Sequence, residues 1–89
     1  MRFTDLIVTW EREEHIAYHH VTVAEVRDIV FGVHHATRAR ERKYRLIGQT
    51  EAGRYLTVMV GLRDAGVCSL VTARDADDPE RRLYRAHRR

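Results

Sequence analysis

The chain has 89 residues, a formal net charge of +3, one cysteine, one proline and one lysine against fifteen arginines. That length fits a single domain, expected over residues 1–89, and excludes folds that need roughly 200 residues or more. A charged fraction of 33%, with Leu56–Leu62 as the longest mostly apolar run, leaves no membrane-spanning helix, which needs about 20 apolar residues.

In chain order, Asp5 to Trp10 reads as a short strand, with Leu6 and Val8 on one face and Ile7 on the other. Glu11 to His19 reads as a short helix. Val23 to Phe31 reads as a second one, opened by the capping box Thr22-x-x-Glu25, which satisfies two amide donors. Val23, Val26 and Val30 recur at i, i+3 and i+7 and make an apolar stripe. Gly32 is expected to end that helix in the left-handed conformation. His34 to Arg38 is a candidate edge strand.

From Lys43 the period changes to two. Tyr44, Leu46 and Gly48 alternate with Arg45, Ile47 and Gln49, and Glu51-Ala52-Gly53 makes a turn. Leu56, Val58, Val60 and Leu62 then alternate with Tyr55, Thr57 and Met59, which predicts a strand. After a turn at Arg63-Asp64-Ala65-Gly66, Val67 to Arg74 predicts another, with Cys68, Leu70, Thr72 and Arg74 on one face. A final helix begins near Asp77–Pro79 and is expected to run to the C-terminus. Asp78 as N-cap puts Pro79 at the first helical position; Asp77 as N-cap pairs with Glu80 in a capping box. Strands gathered together and joined by tight turns predict an α+β domain. Its expected form is a small antiparallel sheet of three to five strands, two N-terminal helices on one face and one C-terminal helix. Trp10 is expected as a core anchor.

Charge is unevenly placed. Residues 1–37 carry Arg2, Arg12 and Arg27 against Asp5, Glu11, Glu13, Glu14, Glu25 and Asp28, a net of −3. Residues 38–89 carry thirteen basic and seven acidic residues, a net of +6. Two basic clusters dominate, one from Arg38 to Arg45 and one from Arg81 to Arg89, and a single concave face is expected to unite them. Such clusters attract polyanions, and the arginine fork suits bidentate phosphate binding. Their bland alternative is a solvated surface. The lone Cys68 makes no intramolecular disulfide, and the N-terminus shows no signal-peptide pattern, so a cytoplasmic setting is expected. A domain this small is marginal alone, which favours a partner that covers apolar surface.

Three segments together resemble a known family. Trp10, His15-Ile16-Ala17, His19, Val21-Thr22 and Glu25-Val26 resemble the N-terminal signature of BrnT-like toxins. Tyr44-x-x-x-Gly48-x-Thr50-x-x-Gly53-Arg54-x-Leu56-x-Val58 is similar to the family's paired strands. Thr72-Ala73-Arg74-Asp75-Ala76 followed by Glu80-Arg81-Arg82-x-Tyr84 is the most specific piece, and the three span nearly the whole chain. The resemblance implies a RelE-like fold and a ribonuclease toxin of a type II toxin–antitoxin pair that inhibits translation. It implies a ribbon-helix-helix antitoxin, an RNA substrate, and a homodimer or a heterotetramer with the antitoxin. One departure stands out: Tyr18-His19-His20 replaces the family's Lys-His-Gly, which removes a cation and a turn glycine.

RNA cleavage without a metal needs a proton carrier and cations facing the phosphorane. His19 stands at the family's histidine position, and an imidazole suits acid or base work, with His20 beside it as an alternative. Arg74 is either paired with an acid such as Glu80 or aimed at a phosphate. Glu80 either caps its helix or orients the site. Tyr84 is either core or a base-stacking group. Arg45 and Arg54 flank the hairpin, as phosphate ligands or as solvated strand-end charges. Arg81 and Arg85 face backbone phosphates or an acidic partner. His15 and His19 share a helix face but lack the glutamate of HExxH and a second ligand pair, so neither a metal nor a cofactor is expected. The reading from another class is a non-catalytic RNA- or protein-binding module.

Overall fold

The structure, a computed structural model, describes residues 1–88. Its elements are β1 (Asp5–Ile7), α1 (Trp10–Ala17), α2 (Val23–Phe31), β2 (His34–Arg38), β3 (Lys43–Gln49), β4 (Tyr55–Asp64), β5 (Val67–Asp75) and α3 (Asp78–His87). The five strands form one sheet in the order β1-β5-β4-β3-β2. The β2–β5 meander is antiparallel, as tight turns require. β1 instead pairs parallel to β5, Leu6 opposite Cys68, so the sheet is mixed rather than purely antiparallel. Hydrophobic pattern marks a strand but not its partner.

Local chemistry sets the helix ends. Thr9 caps α1 and accepts from the amide of Arg12. Thr22 and Glu25 form the expected capping box on α2. For α3 the alternatives resolve to Asp77 as N-cap, boxed with Glu80, with Pro79 in the first turn. Gly32 does not take the left-handed conformation: it is extended, at φ −102° and ψ −160°. Glycine is needed there for space, because a Cβ would collide with the carbonyl oxygen of Asp28. His20 is the residue that goes left-handed, at φ 59°, after α1. A histidine therefore holds this turn in a conformation that L-residues adopt at a cost.

One face of the sheet buries Leu46, Leu56, Val58, Val60, Cys68, Leu70 and Ala73 beneath Ile16 of α1 and Val26, Ile29 and Val30 of α2. The other face packs a smaller cluster, Ile47 with Ala76 and Tyr84, beneath α3. Trp10 is no core anchor: at the first position of α1, it stays 66% exposed while Ile16 is the residue α1 buries.

The strand β5 contains a bulge. Val60 pairs with Leu70 but Met59 pairs with Thr72, so Val71 is extra. The bulge reverses the alternation. Cys68 and Leu70 face the main core, and so does Ala73, whereas Arg74 faces α3. The expectation that Arg74 shares a face with Cys68 and Leu70 therefore fails.

Candidate functional site

The site is built around Glu80, the third residue of α3. Its capping role aims the carboxylate back toward the sheet: Glu80 Oε1 accepts from the Asp77 amide at 2.9 Å. The bulge turns Arg74 to meet it, and the guanidinium donates twice, Nη1 to Oε1 at 2.8 Å and Nη2 to Oε2 at 2.9 Å. Arg45, on the α3 face of β3, adds Nη1 to Oε2 at 3.3 Å and steadies its own Nε on Thr37 Oγ1 at 3.2 Å. Glu80 is 4% exposed while the side chains of Arg74 and Arg45 are 45% and 36% exposed. Burial alone would raise the Glu80 pKa, but the hydrogen bonds from Arg74 and the Asp77 amide outweigh it and hold the carboxyl at about 2. The trio carries one net positive charge, with its anion buried and its cations at the surface.

These cations border open sheet. The α3 core cluster reaches Ile47 and Tyr55, whereas Met59, Gly61, Ser69 and Thr72 of the same face stay half-buried. At the bulged edge, α1 supplies His15, whose Nε2 lies 3.0 Å from Thr72 Oγ1, two residues before Arg74. His19 sits edge-on to His15, ring centroids 5.4 Å apart, and is exposed.

The other predicted site residues are placed differently. Arg54 is committed to the protein: Nε donates to Asp75 Oδ1 at 2.9 Å and Nη1 to Glu25 at 3.1 Å. It also donates to the carbonyls of His20, at 2.6 Å, and His19, at 3.4 Å. That ties the His19–His20 turn to the end of β5. Tyr84 is buried, edge-on to Tyr55 at 6.0 Å, and belongs to the packing under α3. Arg81 and Arg85 cover the same Tyr55 ring at 5.5 and 5.8 Å. Of the first basic cluster, Arg45 reaches α3 through Glu80, but the loop of that cluster lies apart from Arg81 and Arg85. The loop Arg40–Arg42 meets β4 at Leu62, while Arg81 and Arg85 meet it at Tyr55. Seven steps along β4, roughly 23 Å, separate the two positions.

Sequence reasoning missed the contact of His15 with Thr72 on β5. The signal was present in the spacing of Arg12, His15 and His19, which puts them on one side of α1. Among the described residues, no group of three or more His, Cys, Asp or Glu side chains is placed to hold a metal ion.

The crystal structure of the BrnT ribonuclease toxin of Brucella abortus matches this one with a TM-score of 0.69, over 84% of this chain and 99% of that one, at 14% sequence identity. The fold is BrnT-like. No protein-family model matches the sequence, nor does any curated protein. No helix of the BrnT-like fold described here is long and apolar enough to cross a membrane.

Proposed function

We propose that this chain is a ribonuclease toxin that cleaves RNA without a metal ion and so inhibits translation. The observation that carries the reading is the Arg45–Glu80–Arg74 array at the open face of a BrnT-like fold. In the proposed reaction the ribose 2′-oxygen attacks phosphorus and the bond from phosphorus to the 5′-oxygen breaks. The 2′-proton passes to a histidine near the end of α1, with His19 the proposed one. The leaving oxygen takes a proton from solvent or a second imidazole. Arg74 and Arg45 face the phosphorane charge, and Glu80 holds both forks in place. Arg54 acts as a positioning residue, through the His19–His20 carbonyls. Tyr84 supports α3 from below, and Arg81 and Arg85 reach for flanking phosphates. The proposed partner is a ribbon-helix-helix antitoxin, in a type II pair that assembles as a heterotetramer or around a toxin homodimer.

Induced expression in bacteria tests this directly. Growth arrest and RNA fragments are expected from wild type, and cleavage by purified protein is expected to persist in EDTA. Arg74→Ala and His19→Ala should each lose about 100-fold or more in rate. A wild type that leaves RNA intact rejects the enzyme, and cleavage abolished by EDTA rejects the metal-free chemistry.

A second reading is a binding module without catalysis. The observation that favours it is the engagement of Arg54 and Arg74 with carboxylates inside the protein. RNA binding that weakens steeply with salt, without cleavage, is its signature.

A further inference from the structure

At the far end of the open sheet face lies a cavity of about 300 Å³ with no part in the array above. Its walls are Arg12 and Thr9 from the start of α1 and Arg63 and Ser69 from the β4–β5 hairpin, over Ile7 and Val71. No carboxylate lines it. Arg12 is anchored by one hydrogen bond, Nη1 to the Val71 carbonyl at 3.2 Å, which leaves the rest of its fork unspent. Arg63 sits at the second register break, between Leu62 and Asp64, and its guanidinium has no partner among the described residues. Ile7 is 42% exposed although apolar. The register puts Ser69 opposite both Ile7 and Gly61, on the face that carries Met59, Thr72 and Arg74.

We infer that this cavity is a second subsite for single-stranded RNA, taking a nucleotide that flanks the one held at Arg45 and Arg74. The inference rests on the reading of the site as RNA-cleaving and names its substrate as a single strand several nucleotides long. Two guanidiniums suit a phosphate, an apolar floor suits the face of an unstacked base, and hydroxyls suit its edge or the ribose. The path between the subsites is continuous. Arg12, His15 and His19 fall on one side of α1, and His15 touches Thr72 midway between Ser69 and Arg74 on β5. Of the acids of α1, Glu13 and Glu14 fall on its other sides by helical spacing, while Glu11 borders the path beside His15 at i, i+4.

Fluorescence polarisation with a labelled hexanucleotide RNA, 2′-O-methylated so that it resists cleavage, tests the subsite. Arg63→Ala and Arg12→Ala are each expected to weaken binding about five- to tenfold and to lower the salt slope by about 1. Arg27→Ala, the same charge change on α2, should leave binding unchanged. A dinucleotide, which fills the Arg45–Arg74 site alone, should not distinguish the variants from wild type. Melting curves check that each variant is folded, and Arg63, exposed near the end of β4, serves where Arg12→Ala loses stability. If wild type binds and cleaves RNA but both variants bind the hexanucleotide as wild type does, the subsite falls and the ribonuclease reading stands. Equal losses against polyglutamate reject a nucleotide site in favour of an acidic peptide site. A wild type that neither binds nor cleaves RNA overturns the underlying reading and the subsite with it.

Discussion

Glu80 accepts four hydrogen bonds, from the Asp77 amide, twice from Arg74 and once from Arg45, while almost wholly out of water. A carboxyl held at about 2 against an ordinary 4.5 stabilises the fold above pH 4.5, and that stability is lost as pH falls through 2. The shift corresponds to roughly 3 kcal/mol. Glu80→Gln should lose about that much in urea unfolding at pH 7 and should flatten the decline between pH 4.5 and 2. A variant with wild-type stability would show that the two arginines repel little when their shared anion is gone. The pairing of Arg74 with Glu80 was legible in the sequence because only six residues separate them. The engagement of Arg54 was not, because its partners lie 29 to 35 residues before it, or 21 after, and only the fold brings them near.

Single-residue changes in phase decide how the elements present the site. Alternation marks β3, β4 and β5 in the sequence, and the capping boxes mark where α2 and α3 begin. The bulge at Val71 leaves no such mark, since one extra residue changes no composition. Yet it moves Arg74 from the side of Cys68 and Leu70 to the side of Glu80. Deleting Val71 would leave plain alternation with Leu70 and Arg74 on the faces they now hold, because Val71 is the residue without a cross-strand partner. The expected result is a chain that still unfolds cooperatively, read by circular dichroism. Loss of the cooperative transition would show that the local twist of the bulge, and not only its phase, is required. The first position of α1 carries a similar lesson: Trp10 is large and apolar, but helix phase outranks size and leaves it in water.

At the scale of the molecule, acid acts in two stages. His34 and His35 both lie on the edge strand β2, and burial pushes both below the ordinary 6.5. His35 also stacks on His87 of α3 at 4.2 Å, where a second charge opposes protonation. A depressed histidine stabilises the fold fully above 6.5 and loses that contribution as pH falls through its folded value. Stability should therefore decline first below pH 6.5, and again below 4.5 as Glu80, Asp75 and Glu25 take up protons. Urea midpoints against pH check this: the double variant His34→Asn, His35→Asn should lose the first stage and keep the second. Charge by segment was plain in the sequence, but its layout was not, because composition does not say which strand ends adjoin.

The parallel pairing of β1 with β5 has a consequence for how the protein comes to exist. Leu6 meets Cys68 across almost the whole chain, so the first strand to be synthesised is among the last to find its place. Contacts so distant in sequence form late, after the loop between them has closed. A nascent chain that stops short of Val67 has no strand for β1 to join, and neither Arg74 nor Glu80 yet exists in it. On this topology the Arg45–Glu80–Arg74 array is complete only once both β5 and α3 have been made, so the charge pattern of the open face arrives with the last quarter of the chain.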